Sequence, residues 1–389
     1  MRTDNAKHYL KKILCVFLSA ITILTIAFGG NTLAFADDLT TTIWRKPDYK
    51  KVVEVPSYKF DERPTTNLGG MSAGTANNRL FVVKSVTNDK YEPYTETEGV
   101  LYYYSNIYNP SNVKHIRFTN SLLGHANSMA VDDNYIYVTM WQKKDGGEKT
   151  RILQINRKAI SALPENKTIS SAAYVHEGIK VCTRFYPKNP DGTKYETPIS
   201  SITKYSYDSV NKKTTFIIGA GNYDNRRILI YKKAVLDHNT NVITVLDTTY
   251  YIKNTALDTG KGVTQQDIFY DKEYGLFIPE WHGSTGNRLD NSIMQVDLKR
   301  PTTPYTIQTG SNAGTVINVI TPTYLHTLNS NDSSLTKFEL ESMAFIKKSS
   351  DKKSSAFRVL LTANIDDKDK KGCDAIVEIK SPSSNISKL

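Results

Sequence analysis

One short phrase returns along the chain. Ser128-Met129-Ala130, within HANSMAV, opens one group of strand-like runs, and Ser342-Met343-Ala344, within FELESMAFI, opens another. Five such groups can be marked out. They are GGMSAG with RLFVVKS and GVLYYYSNI; HANSMAV with YIYVTMW and RILQINR; ISSITKYSY with TTFIIGAG, RILIYKKAV and an outer NVITVLDTTYYI; GVTQQDIFY with YGLFIPEW and NSIMQVDL; and FELESMAFI with FRVLLTANI and DAIVEI. They start near Gly70, Asn127, Ser200, Gln265 and Glu341, a period of about 57 to 76 residues lengthened by polar loops.

The runs are five to seven residues long, rich in β-branched and aromatic side chains and broken by Asn, Asp, Gly and Lys clusters. Periodicity of 3.6 is almost absent, so the chain is predicted to be all-β. A single four-stranded sheet cannot bury both faces, whereas sheets packed around an axis cover one another and leave only short edges. The expected architecture is therefore a five-bladed β-propeller, with a six-bladed ring or tandem sandwiches as alternatives. The segment YKKVVEVPSYKF, residues 49–60, is a candidate for the outer strand that closes the ring.

Residues 1–36 have the layout of a signal peptide: Lys7, Lys11 and Lys12, an apolar run from Ile13 to Phe28, then Ala34-Phe35-Ala36 before Asp37. The run is short of the ~20 residues that span a bilayer. The expected organisation is a leader at 1–36, an N-terminal segment at 37–66, the propeller at 67–380 and a polar tail at 381–389. The protein is then secreted, extracellular or wall-associated, with no transmembrane segment after cleavage. Cys182 and Cys373 are too few for a disulfide scaffold, and their pairing stays open. The formal net charge is +11, of which about +8 remains without the leader. That favours anionic partners such as cell-wall polymers and acidic glycans; outside the cell, nucleic acid is not expected.

A propeller brings the starts of its innermost strands and the ends of its second strands to one rim. His125, Asn127, Gln265, Gln266, Glu339 and Glu341 are then expected at the channel mouth, with Trp141 and Trp281 at matching second-strand ends and Lys84 and Asn364 at the corresponding places in blades one and five. Convergent polar groups beside aromatic platforms suit a glycan, and lysines suit its phosphates. The ligand-binding set is therefore His125, Asn127, Trp141, Gln265, Gln266, Trp281, Glu341 and Lys84.

Across residues 67–380 the phrases HANSMAVDDNYIYVTMW, GVTQQDIFYDKEYGLFIPEW with SIMQVDL, and FELESMAFI with FRVLLTANI resemble the helveticin J-like class III bacteriocins and related propellers of teichoic-acid-associated and phage receptor-binding proteins. The resemblance implies a secreted, wall-directed, bacteriocin-like propeller that binds a surface polymer. It carries over no catalytic residues. Asn127 departs from the acid expected after His125-Ala126, whereas Gln265-Gln266 and the pair Glu339 and Glu341 are kept.

Other motifs point to less. Gly70-Met71-Ser72-Ala73-Gly74 fits a nucleophile pattern, but a strand follows where a helix is needed. Asp367, Asp369, Gly372 and Glu378 fit calcium-loop spacing, but Lys371 occupies a ligand position. The scattered histidines have no zinc-site spacing, so no cofactor is expected, with calcium at the Asp367–Glu378 spacing as the alternative. The function predicted is binding of an anionic glycan or teichoic-acid-like wall polymer. The alternative is a propeller hydrolase of a glycan or phosphodiester polymer using Asp267, Glu339 and Glu341, with Glu280 as a further candidate.

Overall fold

The computed structural model describes residues 40–45, 49–60, 63–74, 78–86, 98–140, 151–259, 264–265, 267–282, 289–329, 334–347, 357–369, 372–379 and 389. The expected leader at 1–36 and nearly all of the tail at 381–389 lie outside them, as do Trp141 and Gln266. Among the described residues no helix is long and apolar enough to cross a membrane.

Five antiparallel sheets form the blades of a five-bladed β-propeller. Blade one runs outward through Arg63–Ala73, Leu80–Val86, Gly99–Tyr104 and Val113–Phe118. Blade two is Met129–Val131, Tyr135–Thr139, Ile152–Asn156 and Cys182–Phe185. Blade three is Ile202–Asp208, Lys213–Tyr223, Ile228–Asp237 and Val242–Lys253. In blade four an interrupted inner strand, Thr264–Gln265 and Phe269–Asp271, precedes Gly275–Trp281, Asp290–Val296 and Tyr324–Asn329. Blade five is Leu335–Lys347, Phe357–Asp367 and Ala375–Ile379, and its outermost strand is Tyr49–Glu54. The five inner strands and most second strands coincide with the repeated phrases. The outer strands Val113–Phe118, Cys182–Phe185 and Tyr324–Asn329 were not legible there, and Thr40–Arg45 adds a further strand parallel to the last of them.

Blade packing explains why the middle strands read as unbroken apolar runs. Leu80–Val86 is buried along its whole length. Side chains alternate between faces. Phe81 and Val83 accordingly pack with Ile136 and Leu153 of blade two, while Leu80 and Val82 pack with Leu360 and Ile376 of blade five. Tyr137 continues the scheme onto Phe216 of blade three, and Phe277 of blade four meets Phe345 of blade five. At the axis the backbones come too close for side chains. A Cβ on Gly70 would stand 2.7 Å from the Ser128 carbonyl carbon and 2.8 Å from the Met129 nitrogen. The Gly-rich phrase is thus a packing device, and Ser72 lies on a continuous strand with no nucleophile elbow.

The ring is latched by a buried ion pair. Lys84 of blade one reaches Asp374 of blade five at 2.8 Å, and its ammonium also donates to the Val55 carbonyl and the Ser57 hydroxyl, each at 3.1 Å. Burial raises the Asp374 carboxyl above its usual range and the Lys84 charge opposes this. Lys84 therefore does not stand at the channel mouth as expected. It is wholly buried, because its place on a doubly covered strand points it into the seam between blades. Cys182 and Cys373 are buried in separate apolar clusters and do not pair with each other.

Removing one partner of a fully buried pair leaves an uncompensated charge, at a cost of about 3–5 kcal/mol. Lys84→Met should lower unfolding free energy by that amount in chemical denaturation at pH 7, and adding Asp374→Leu should restore most of it.

Candidate functional site

The axis is occupied by one carboxyl. Asp267 of blade four is buried, and its oxygens are hydrogen-bonded by the hydroxyls of Ser128 (blade two) and Ser342 (blade five), while Ile268 donates its amide at 2.7 Å. Ser128 Oγ in turn accepts the Ile202 amide of blade three at 2.7 Å, and Ser342 Oγ accepts the Met71 amide of blade one at 3.1 Å. The serines of the repeated Ser-Met-Ala phrase thus tie all five blades to one acid. Burial pushes the Asp267 carboxyl up to about 8, against the hydrogen bonds of Ser128, Ser342 and the Ile268 amide. Asp267, a candidate for hydrolysis, is a keystone below the cavity floor and does not line the cavity, since its side chain turns inward to these serines.

Above this keystone a cavity of about 560 Å³ opens at the rim where inner strands begin. His125, Asn127, Gln265, Glu339 and Glu341 all line it, together with Glu280 from the end of a second strand and Arg226 from the 222–227 turn. Local irregularities aim several of these groups. Glu341 sits where the inner strand of blade five bulges, between Leu340 and Ser342, and Asn222 follows a similar shift after Gly219 in blade three. Such bulges re-aim side chains at barrel and propeller rims.

A chain of hydrogen bonds runs around one side of the mouth. Asn67 Nδ2 lies 3.3 Å from His125 Nε2, Asn364 donates to Asn67 at 3.4 Å and also to the Glu341 carboxyl, and Asn364 Oδ1 accepts the Leu68 amide at 2.9 Å. Glu339 forms an ion pair with Lys337, whose ammonium lies 5.6 Å from the centre of the Trp281 ring. Trp281 is therefore half-buried beside this pair and is not part of the cavity wall. Burial, then the adjacent Glu339 carboxyl, pushes Glu341 well above the usual carboxyl range, and Lys337 and Asn364 oppose the shift.

The seam between blades three and four is polar. Asn254 donates to Glu280 Oε1 at 2.9 Å and anchors itself by accepting the Ala256 amide at 3.1 Å. Among the described residues Glu280 Oε2, the Gln265 Nε2 group and the Tyr231 hydroxyl are buried without a hydrogen-bond partner of ordinary geometry, the last two lying close to one another. Burial pushes Glu280 up to about 8, while the Asn254 hydrogen bond and the Arg226 charge pull it down. Burial and the nearby Glu280 and Asp267 carboxyls hold the Tyr231 phenol far above its ordinary value. Buried polar atoms are rarely left unpaired, and here the set adjoins a cavity. Tyr231 and Asn254 carried no sequence signal: one reads as an ordinary strand residue, the other as a strand-ending turn. Among the described residues no group of three or more His, Cys, Asp or Glu is placed to hold a metal ion. The calcium-like spacing falls on a hairpin in which Asp366 accepts the Gly372 amide at 2.8 Å and Asp367 that of Asp369 at 2.9 Å.

No family model matches the sequence, and no curated protein matches it. Among solved structures the chain is similar to an α-L-arabinofuranosidase from Lactobacillus brevis, with 9% identity over 80% of this chain and 89% of that one and a TM-score of 0.43. An α-L-arabinofuranosidase from Podospora anserina, in complex with cellotriose, has 11% identity over 88% and 97% of the two chains and a TM-score of 0.40. A glucose dehydrogenase has 8% identity over 84% and 85%, with a TM-score of 0.34.

Raised carboxyl values make stability depend on pH. Asp267 and Glu280 stay protonated in the fold up to about 8, whereas the unfolded chain releases these protons near 4. Their contribution is complete below the unfolded values and is lost as pH rises through about 8. His326, held down to about 4 by burial, acts in the opposite sense but only below its unfolded value of about 6.5. Melting temperature should therefore fall between pH 6.5 and 8, and Asp267→Asn should flatten the fall. A wild-type curve that is level or rising over that window would refute this.

Proposed function

We propose that the protein is a glycan hydrolase of the propeller type, working in the carboxyl-lined cavity. The observation that carries this is Glu280: a carboxyl beside a cavity, protonated up to about 8, with Oε1 fixed by Asn254 and Oε2 without a partner among the described residues. An acid in that state can give its proton to a glycosidic oxygen at neutral pH, which is the part a general acid plays in sugar hydrolysis. Glu339 on the neighbouring blade, bound to Lys337, is the carboxylate available as base or nucleophile. Glu341 and the His125–Asn67–Asn364 chain hold sugar hydroxyls.

The wall composition favours an uncharged sugar. Three glutamates stand against Arg226 and His125, and carboxamides from Asn67, Asn127, Asn222, Asn254 and Gln265 supply paired donors and acceptors. A phosphate backbone would meet the Glu339 carboxylate. The anionic-polymer reading drawn from net charge is therefore not supported at this mouth, and the hydrolase reading is supported better than simple binding.

Residues 37–389, incubated with a panel of neutral oligosaccharides, should release reducing sugar. Glu280→Gln and Glu339→Gln should each lower kcat by at least about 100-fold while leaving the melting profile folded. Activity should fall as pH rises past about 8, as Glu280 loses its proton. Retention of an oligosaccharide with no release, unaffected by Glu280→Gln, would return the assignment to a wall-directed binding protein.

A further inference from the structure

The other end of the channel holds a second cavity, of about 580 Å³ and opposite character. It lies where the inner strands finish, so that Asp267 with Ser128 and Ser342 separates it from the carboxyl-lined mouth. Its walls are aromatic. Tyr205 and Tyr270 have ring centres 4.7 Å apart, as do Phe269 and Phe345. Lys204 and Lys272 line it, and the Lys233 ammonium stands 4.4 Å from the centre of the Tyr205 ring. Its acidic residue, Asp271, is buried and turned into its own hairpin, where it accepts the Glu273 amide at 2.8 Å. The cavity therefore presents flat apolar faces with cations at their edge and no exposed carboxylate among its described lining residues.

Its volume falls within the range of small-ligand sites, ~300–1,000 Å³. Ring faces suit the C–H face of a pyranose, and ammonium groups suit carboxylate or phosphate as point charges. A neutral sugar would leave the lysines unanswered, and a purely apolar guest would desolvate them. We propose that this cavity binds a negatively charged sugar unit of a polymer, stacked on Tyr270 with its anionic group between Lys204 and Lys272. The net positive charge, about +8 without the leader, would draw such a polymer toward the protein. This site is independent of the hydrolase reading: one propeller would hold an anionic polymer at one mouth and act on uncharged sugar at the other.

The test is calorimetric titration of residues 37–389 with an oligogalacturonate, an oligomeric polyol phosphate and an uncharged maltooligosaccharide of equal length. Binding of either anionic oligomer is expected, the preferred one telling carboxylate from phosphate. Affinity should weaken with salt and drop about tenfold in Lys204→Ala/Lys272→Ala, the loss of about one charge-assisted contact. Tyr270→Ala should weaken it comparably, and Glu280→Gln should leave it unchanged, which separates this site from the carboxyl-lined mouth. No binding of either anionic oligomer, or an unaltered affinity in the double lysine variant, would overturn the proposal.

Discussion

The arrangement depends on a single acid at the axis. Five inner strands converge there, each carrying backbone groups that water cannot reach, and a buried polar group without a partner is costly. Ser128 and Ser342 satisfy blades two, three, five and one through their hydroxyls, and both meet at the Asp267 carboxyl of blade four. A hydroxyl can donate and accept at once, so two serines and one acid suffice to connect five sheets. The inner strand of blade four is interrupted between Gln265 and Phe269, and this break lets Asp267 leave the sheet and turn to the axis.

Around that centre the seams between blades divide into two kinds. Four apolar clusters join blades one to two, two to three, four to five and five to one. The seam between blades three and four instead carries Tyr231, Asn254, Gln265 and Glu280 next to the cavity. Burying such groups without full pairing opposes folding, so the stability of the ring comes from the apolar seams, and the polar seam is where chemistry can be placed. Functional sites commonly keep such locally unfavourable arrangements when the surrounding structure over-determines them.

Much of this was written in the sequence. Repetition of Ser-Met-Ala marked two inner strands and the recurring groups of runs marked the others, and the two-residue period placed Glu339 and Glu341 on one face, both at the cavity. The same reasoning failed for Lys84, because a charged residue on a strand covered on both sides looks identical in sequence to one at a rim; only the distant Asp374, Val55 and Ser57 distinguish them. Asp267 was legible as an inner-strand acid but not as a keystone, since its partners lie far away along the chain in other blades. Asn254 and Tyr231 were invisible for the converse reason: their roles come from what they face across a seam, which no local pattern records. The short outer strands, Cys182–Phe185 and Tyr324–Asn329, escaped because edge strands need no repeated phrase.

The outermost strand of the last blade comes from near the other end of the chain. Tyr49–Glu54 pairs with Ala375–Ile379, a contact spanning roughly 320 residues, of the kind that slows folding. During synthesis the early strand has no partner until almost the whole chain has emerged, and blade five lacks its edge until then. Ring closure is therefore a late, all-or-none event: four blades can assemble in order, but the molecule becomes closed only when Tyr49–Glu54 meets Ala375–Ile379.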